Sequence, residues 1–288
     1  MKQAHDVEIA WPADAHAAVT FSFDDGYAAT CDATVACLQA RGLCATYNII
    51  TNYVGSVFDG LPAATWSHWQ EANRAGHEIA SHSATHVALA GPLGDVRRLL
   101  QDFCAATDRL AYARQLTITA RALIKQRLRA SPRSVGRSFS PTTADLSASR
   151  LSIESMVQGL RVESFAYPAG RHDLASRHMV AEAGFKSART LDWGVNTSSC
   201  NLFALRAIGQ RPGLGIDDLV VWLERARTSH AWLIIAFHLV AECNPTGYPY
   251  FCSLADLQRL LDAVQSRPFW VATQREVVRH LENQDLHG

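Results

Sequence analysis

The stretch Ala18-Val19-Thr20-Phe21-Ser22-Phe23-Asp24-Asp25-Gly26 is an apolar, β-type run that ends abruptly in two carboxylates and a glycine. Unpaired carboxylates beside an apolar strand cost several kcal/mol each unless a metal ion or another cation compensates their charge. A buried strand has no structural use for such a pair at its tip. The sequence therefore predicts a positively charged partner for Asp24 and Asp25.

Outward from this stretch, strand-like runs alternate with helix-like segments along the chain. The further strand-like runs cover residues 44–50, 77–81, 163–167, 186–190, 232–237 and 269–271. The helix-like segments between them carry start and stop signals, for example Asp173 before a segment that Gly184 closes. This alternation predicts an α/β fold with a mainly parallel sheet, either open or closed into a barrel.

Candidate functional residues follow several of these predicted strands at the point where each strand ends. Asp24 and Asp25 follow the first strand, His82 follows the third, and His238 follows the run 232–237. The carboxyl ends of parallel strands in a barrel face the same way and form the usual rim of an active site. We therefore expect these side chains to converge.

The motif Ser81-His82-Ser83-Ala84-Thr85-His86 contains two histidines four residues apart. On a helical turn this spacing would place both imidazoles on one face, where they can bind a single ion. Two histidines and a carboxylate leave coordination positions open, as in hydrolytic metal sites. Two surface histidines would show the same spacing, but the preceding strand and the flanking serines favour a ligand pair.

Two of these motifs resemble the first two motifs of the polysaccharide deacetylases, carbohydrate esterase family 4. They are Ser22-Phe23-Asp24-Asp25-Gly26 and His82-Ser83-Ala84-Thr85-His86. The resemblance covers nearly the whole chain, so residues 1–288 are expected to form a single catalytic domain. It implies a distorted (β/α)7 barrel.

The resemblance also implies roles for the residues of these two motifs. Asp24 would be the general base that activates a water held by a metal ion. Asp25 would be the carboxylate ligand beside His82 and His86. Zinc is the default ion, and Co²⁺, Ni²⁺, Mn²⁺ or Fe²⁺ also suits two histidines and one carboxylate.

Tyr167-Pro168-Ala169-Gly170 resembles the third motif of the family, and His238 matches the fifth. The resemblance implies that the backbone N–H of Ala169 stabilises an oxyanion and that His238 is the general acid. Trp193 lies near the position of the fourth motif, so it is expected either to contact substrate or simply to pack in the core. The side chains expected to contact substrate are those of Tyr27, Tyr167, Pro168 and Trp193.

The third motif departs from the common pattern at one position. Many members of the family carry an arginine two residues before the proline, held against the base aspartate, where this chain has Ala166. A subgroup with Phe-Ala-Tyr-Pro-x-Gly in this place is the closer resemblance. The residue that orients Asp24 is then expected among three other arginines, Arg171, Arg189 and Arg206.

The metal-binding pattern predicts a metal-dependent hydrolase, and the resemblance implies that it removes an acetyl group from an N-acetylated amino sugar or glycan. One alternative is an amidohydrolase or acetyl esterase acting on a small amide, on a biosynthetic or lipid-linked intermediate, or on acetylated xylan. Another is a glycan-binding barrel without catalytic activity.

Residues 99–147 interrupt the alternation between the third and fourth predicted strands and are typical of two or three helices. This predicted helical insertion is rich in positive charge, carried by Arg121, Lys125, Arg127, Arg129, Arg133 and Arg137. Such a run forms either a solvated helix face or a surface that binds an anionic portion of the substrate. The sequence leaves both interpretations open.

The composition of the chain argues against several classes of protein. Its 27 basic and 27 acidic residues give no net charge, which disfavours a nucleic-acid partner. No run approaches the roughly 18 consecutive apolar residues of a transmembrane segment. The start lacks the apolar core of a secretory signal, and the 7 cysteines are irregularly spaced. A cytoplasmic location is therefore expected, and a secretory signal that was removed is the alternative.

Overall fold

The structure is a computed structural model that describes residues 8–90, 142–244 and 246–285. The predicted helical insertion at 99–147 lies outside these residues except for its last positions, which begin a helix. The described helices are α1 (Ala28–Gln39), α2 (Trp66–Arg74), α3 (Thr143–Met156), α4 (Leu174–Glu182), α5 (Ile216–Thr228), α6 (Leu254–Gln265) and α7 (Gln274–Asp285). None of these is long and apolar enough to cross a membrane.

The strands form one large parallel sheet and two small pairs. The strands of the large sheet are β1 (Ala17–Phe23), β2 (Thr46–Ile49), β5 (Glu78–Ser81), β6 (Ser164–Ala166), β7 (Ser187–Arg189), β8 (Ile208–Gly209), β9 (Trp232–Phe237) and β12 (Phe269–Val271). Their order is β7-β6-β5-β2-β1-β9-β8, with β12 beside the first half of β1. The small pairs are β3 (Val57–Phe58) with β4 (Leu61–Pro62), and β10 (Leu239–Ala241) with β11 (Phe251–Ser253).

The large sheet curls until its two edges approach each other. Arg189 at the end of β7 forms a parallel bridge with Leu205, which lies three residues before β8. The Thr190 N–H donates to the Leu205 carbonyl at 2.8 Å, and the Leu205 N–H donates to the Ala188 carbonyl at 3.0 Å. The predicted distorted (β/α)7 barrel is therefore confirmed as a curled, parallel half-barrel.

All seven predicted runs form strands of this sheet, with ends that differ by two residues or fewer. The strand of the large sheet that the sequence did not predict is β8, which has only two residues, Ile208 and Gly209. So short an element carries no alternating or continuous apolar pattern, and its place is set by pairing with β9 instead.

The two faces of β1 meet different surroundings, although all seven of its residues are buried. Val19, Phe21 and Phe23 belong to the main apolar core together with residues of the surrounding helices. Side chains alternate along a strand, so Ser22 and Asp24 face the inside of the barrel. There the Asn48 side chain of β2 donates to the Ser22 hydroxyl at 2.8 Å. A polar contact thus lies inside the barrel directly below the site.

Candidate metal centre

Asp25, His82 and His86 meet above the carboxyl ends of β1 and β5. One Asp25 carboxylate oxygen, Oδ1, lies 3.6 Å from His82 Nε2 and 3.4 Å from His86 Nε2. All three ligand atoms lie within 4.8 Å of one another. Within the part of the chain that the structure describes, the buried Asp25 Oδ1 has no hydrogen-bond partner. Two imidazoles and an unsatisfied buried carboxylate oxygen fit a divalent metal ion.

The His82 ring is oriented by a backbone carbonyl on the neighbouring strand. Its Nδ1 lies 2.8 Å from the Ala166 carbonyl oxygen, so Nδ1 carries the proton and donates it. This tautomer leaves the lone pair of Nε2 directed toward Asp25. Histidine ligands of metal ions are commonly held in this way.

The two histidines come together through a tight loop rather than the helical turn that their spacing suggested. Residues 82–90 form no helix. His82, directly after β5, is held by its N–H, which donates to the Ile49 carbonyl at 2.9 Å. The Ser83 side chain then accepts from the His86 N–H at 2.9 Å. The serine hydroxyl folds the chain back within four residues, so both imidazoles reach one point without a helix.

The backbone around the site is strained. Asp25, Ser83, His86 and Ala169 have φ values of 69°, 66°, 59° and 56°. Residues other than glycine rarely adopt this left-handed region, and each such position costs on the order of 1–3 kcal/mol unless its surroundings hold it there. Four strained, non-glycine residues therefore lie within the predicted motifs, which supports a functional role for these residues.

Asp24 is buried beside Asp25 but has different partners. Asn48 Nδ2 donates to Asp24 Oδ1 at 2.9 Å, and Arg189 forms a salt bridge with the same oxygen. Burial alone would raise the pKa of Asp24, but the charge of Arg189, with smaller contributions from His82 and His238, lowers it to about 2. Asp24 is therefore an ionised carboxylate with a fixed orientation.

The three candidate arginines have different positions. Arg189 is fully buried and contacts Asp24. Arg206 is exposed and donates to the Trp193 carbonyl at 3.2 Å. Arg171 follows the turn of the third motif, and its N–H donates to the Pro168 carbonyl at 3.2 Å. The geometry thus favours Arg189 as the residue that orients Asp24.

Burial shifts the pKa of the proposed carboxylate ligand and the pKa of the two proposed histidine ligands in opposite directions. Burial raises the pKa of Asp25 to about 7, with Asp24 and Asp59 adding to the effect and His238 opposing it. Burial lowers the pKa of His82 to about 3 and also lowers the pKa of His86. Both imidazoles are thus neutral at neutral pH, with lone pairs available to an ion.

His238 follows β9 on the other side of the two aspartates. Its charge lowers the pKa of both Asp24 and Asp25, so it lies near both carboxylates. Its ring packs against Tyr250 at 5.1 Å between centroids. Its Nδ1 is buried, with no hydrogen-bond partner in the described segments. The position at a strand end matches the expectation from the sequence.

The third motif forms a single 3₁₀ turn, Pro168–Gly170, at the end of β6. Pro168 and Gly170 are buried, whereas Ala169 is exposed at the rim. Tyr167 is buried, and its hydroxyl donates to the Phe203 carbonyl at 3.0 Å. The turn therefore presents Ala169, while Tyr167 anchors it.

Replacing Gly170 by alanine is expected to lower the free energy of unfolding by roughly 2–5 kcal/mol. Gly170 has φ 67°, and an added Cβ would lie 2.6 Å from the Leu191 Cβ. Gly42→Ala is the matched control, because Gly42 has φ 66° but no atom within 4 Å of an added Cβ. The control should lose only roughly 1–2 kcal/mol. Chemical denaturation measures both, and equal losses would contradict the steric explanation.

The remaining predicted substrate contacts lie in packed surroundings. The Tyr27 hydroxyl donates to the Tyr248 hydroxyl at 3.1 Å. The Trp193 ring lies under the Arg211 guanidinium, 3.9 Å from its carbon, and edge-on to Trp222 at 6.0 Å. Substrate contact by Tyr27, Tyr167, Pro168 and Trp193 stays a prediction.

Sequence reasoning missed Asn48 as a partner of Asp24. Asn48 is a fully buried amide in β2, a strand whose four residues are all buried. A buried amide needs a hydrogen-bond partner, so its place two residues before the end of that run was a usable signal. The register Phe23↔Tyr47 brings β2 level with the end of β1 and puts Asn48 beside Asp24.

Comparison with known proteins identifies the family of this chain. A family model described as polysaccharide deacetylase matches residues 13–188. The crystal structure of a candidate polysaccharide deacetylase from Mycobacterium smegmatis is 16% identical, with a TM-score of 0.58, covering 99% of this chain and 96% of that one. The Xyl-CE4 domain of a multidomain xylanase from the hindgut metagenome of Trinervitermes trinervoides is 15% identical, with a TM-score of 0.50, covering 93% and 91%.

At identities of 15% and 16%, the similarity to these two structures shows that this chain shares their fold. A search of curated proteins finds no match. The family model spans more than half of the chain, and its match includes the segments that carry Asp24, Asp25, His82 and His86. The chain therefore belongs to the polysaccharide deacetylase family.

Proposed function

We propose that this chain is a metal-dependent hydrolase that removes an acetyl group from an N-acetylated amino sugar or glycan. The observation that carries the proposal is the pair of adjacent aspartates with separate surroundings. Asp25 faces His82 and His86 with an unsatisfied oxygen, whereas Asp24 is held by Arg189 and Asn48. Asp25 is thus available to bind a metal ion, and Asp24 is available to accept a proton.

A divalent metal ion held by Asp25, His82 and His86 would polarise the acetyl carbonyl and lower the pKa of the attacking water. Asp24 accepts the proton of that water as general base. Both donors to Asp24 bind Oδ1, so we assign the proton transfer to Oδ2. Their hydrogen bonds hold the Asp24 carboxylate in one orientation, so its side chain does not have to rotate before it accepts the proton.

Breaking the carbon–nitrogen bond requires a proton on the departing amine. We assign that proton to His238, which lies near both aspartates at the end of β9, because imidazole is the usual proton donor near neutral pH. Ala169 is an exposed residue in a strained turn, and we assign its backbone N–H to the oxyanion. We also propose that the chain belongs to the Phe-Ala-Tyr-Pro-x-Gly subgroup, because its third motif, which forms this turn, has that sequence.

The proposal is tested by measuring acetate release from N-acetyl-chitooligosaccharides, small N-acetyl sugars and acetylated xylan. Release from the N-acetylated substrates should stop after chelation and return on adding Zn²⁺ or another divalent ion, which also identifies the preferred metal. Release from xylan alone would favour the esterase alternative. Binding of a glycan with no acetate from any substrate would favour the non-catalytic barrel.

A further inference from the structure

The chain leaves the large sheet at His238. β9 pairs with β1 up to Phe237, whose register partner is Phe23. The next strand, β10, pairs with β11 in a separate small sheet. His238 is half-buried, whereas the other residues of the range 231–240 are buried. The proposed general acid therefore lies one residue beyond the last register pair of β1 and β9.

The hydroxyl of Thr30 bridges this junction. Thr30 lies in the first turn of α1 and is buried. Its Oγ1 donates to the His238 carbonyl at 2.9 Å and accepts from the Val240 N–H at 3.0 Å. A threonine hydroxyl has one proton to donate and lone pairs that accept, so one side chain satisfies both backbone groups. These two groups flank Leu239, so the bridge fixes the bend at which the chain changes sheet.

The segment that carries Thr30 also carries the proposed base. The Asp24 N–H donates to the Phe237 carbonyl at 2.8 Å. The helix α1 begins at Ala28, directly after the first motif and the residue that follows it. The backbone before and after the His238 side chain is thus tied to one short segment, residues 24–30. The spacing between the proposed base and the proposed acid depends on these bonds.

The position of the His238 ring depends on the backbone that carries it. The Tyr250 ring packs against it, with 5.1 Å between centroids. Its buried Nδ1 has no hydrogen-bond partner among the residues that the structure describes. Bonds that hold the His238 backbone therefore also hold the ring. A proton donor misplaced by about 1 Å can cost about 100-fold in rate.

We propose that Thr30 is a positioning residue, whose hydroxyl holds His238 where it can give its proton to the departing amine. The hydroxyl itself is bonded to two backbone groups, so its effect on the reaction is exerted through His238. This inference rests on the proposed function in one respect, namely that His238 is the general acid.

The test is Thr30→Val, because valine keeps the branched shape and removes the hydroxyl. With the N-acetylated substrate that the wild type cleaves fastest, kcat should fall about 10–100-fold and KM should change little. Hydrolysis of 4-nitrophenyl acetate should change little, because its phenolate departs without a proton from the protein. The ratio of the two rates does not depend on the fraction of folded protein. Thr30→Ser keeps a hydroxyl and should restore the wild-type ratio.

Thr20→Val is the matched control. Thr20 is fully buried, and its hydroxyl makes the same kind of paired bonds. It donates to the Ala272 carbonyl at 2.8 Å and accepts from Trp232 Nε1 at 2.9 Å. Trp232 begins β9, so this pair lies at the opposite end of that strand from His238. The control loses the same chemical group and should keep the wild-type ratio of amide to ester hydrolysis.

A double-mutant cycle with His238→Ala shows whether Thr30 acts through His238. His238→Ala alone should lower amide hydrolysis about 10²–10⁴-fold. Adding Thr30→Val to that variant should lower it no further, since the group that Thr30 positions is then gone. A second fall of the same size as in the wild-type background would overturn the inference.

Equal losses of amide and ester hydrolysis in Thr30→Val would also overturn the inference, because the hydroxyl would then serve only the fold. A wild-type rate of amide hydrolysis in Thr30→Val would overturn it as well. A His238→Ala variant that keeps the wild-type amide rate would instead refute the proposed general acid. The two failures are thus distinguishable.

Discussion

Asp24→Asn is expected to reduce acetate release by about 10²–10⁴-fold while the affinity for the metal ion stays as in the wild type. The asparagine carbonyl can still accept the hydrogen bonds that Asn48 and Arg189 donate to Asp24 Oδ1. It cannot take a proton from water. The proposed ligands Asp25, His82 and His86 keep their own contacts.

The measurement pairs kcat/KM for acetate release with the metal content of the purified variant. Asp25→Asn serves as the comparison, because it removes a ligand oxygen at the neighbouring position. If both variants bind the metal equally well, the assignment of base and ligand within the pair is wrong. If Asp24→Asn retains the wild-type rate, Asp24 is not the base.

The same substitution should also lower stability at neutral pH, because it leaves the Arg189 charge buried without a counter-ion. The pKa of Asp24 is lowered from 3.8 to about 2 in the folded chain. A lowered pKa contributes stability that is present above pH 3.8 and is lost as the pH falls toward 2. Asp24→Asn should therefore cost about 2–5 kcal/mol at pH 7 and much less near pH 2.

The two aspartates were readable from the sequence because a strand buried on both faces does not tolerate charge at its tip. Arg189 could not be singled out in the same way. It ends β7, which is separated from β1 in the sheet order by β6, β5 and β2. Only the curl of the sheet carries its side chain across the interior to Asp24. The apolar patterns predict where the strands lie in the sequence, but they do not predict that Arg189 comes close to Asp24.

The β3–β4 hairpin shows a different limit of sequence reasoning. Asp59-Gly60 between Phe58 and Leu61 is a hairpin signal, but the flanking strands have only two residues each. Strands of that length show no alternation that would mark them. Their pairing is held by the bridge between Tyr27 and Ala63, which is a tertiary contact.

Asp25→Asn is expected to stabilise the metal-free chain at pH 8 by about 1–4 kcal/mol and to abolish high-affinity metal binding. Burial raises the pKa of Asp25 from 3.8 to about 7. A raised pKa contributes stability that is fully present below pH 3.8 and is lost as the pH rises through 7. At pH 8 the metal-free wild type therefore carries an unfavourable buried charge, which the neutral amide removes.

Thermal unfolding at pH 5 and pH 8, with chelator or with excess Zn²⁺, measures both effects. The advantage of the variant without metal should shrink at pH 5, where Asp25 of the wild type is protonated. Zn²⁺ should raise the Tm of the wild type by mass action and leave the variant almost unchanged. Asp262→Asn is the control, since Asp262 is 68% exposed in its pair with Arg41.

An equal rise in Tm with Zn²⁺ for Asp25→Asn and the wild type would show that Asp25 is not a ligand. A metal-free variant less stable than the wild type at pH 8 would show that the buried carboxylate has a favourable partner in the absence of the ion. The expected pattern separates two contributions of one side chain. Asp25 is expected to destabilise the metal-free chain, and its same unsatisfied oxygen is the proposed ligand of the metal ion.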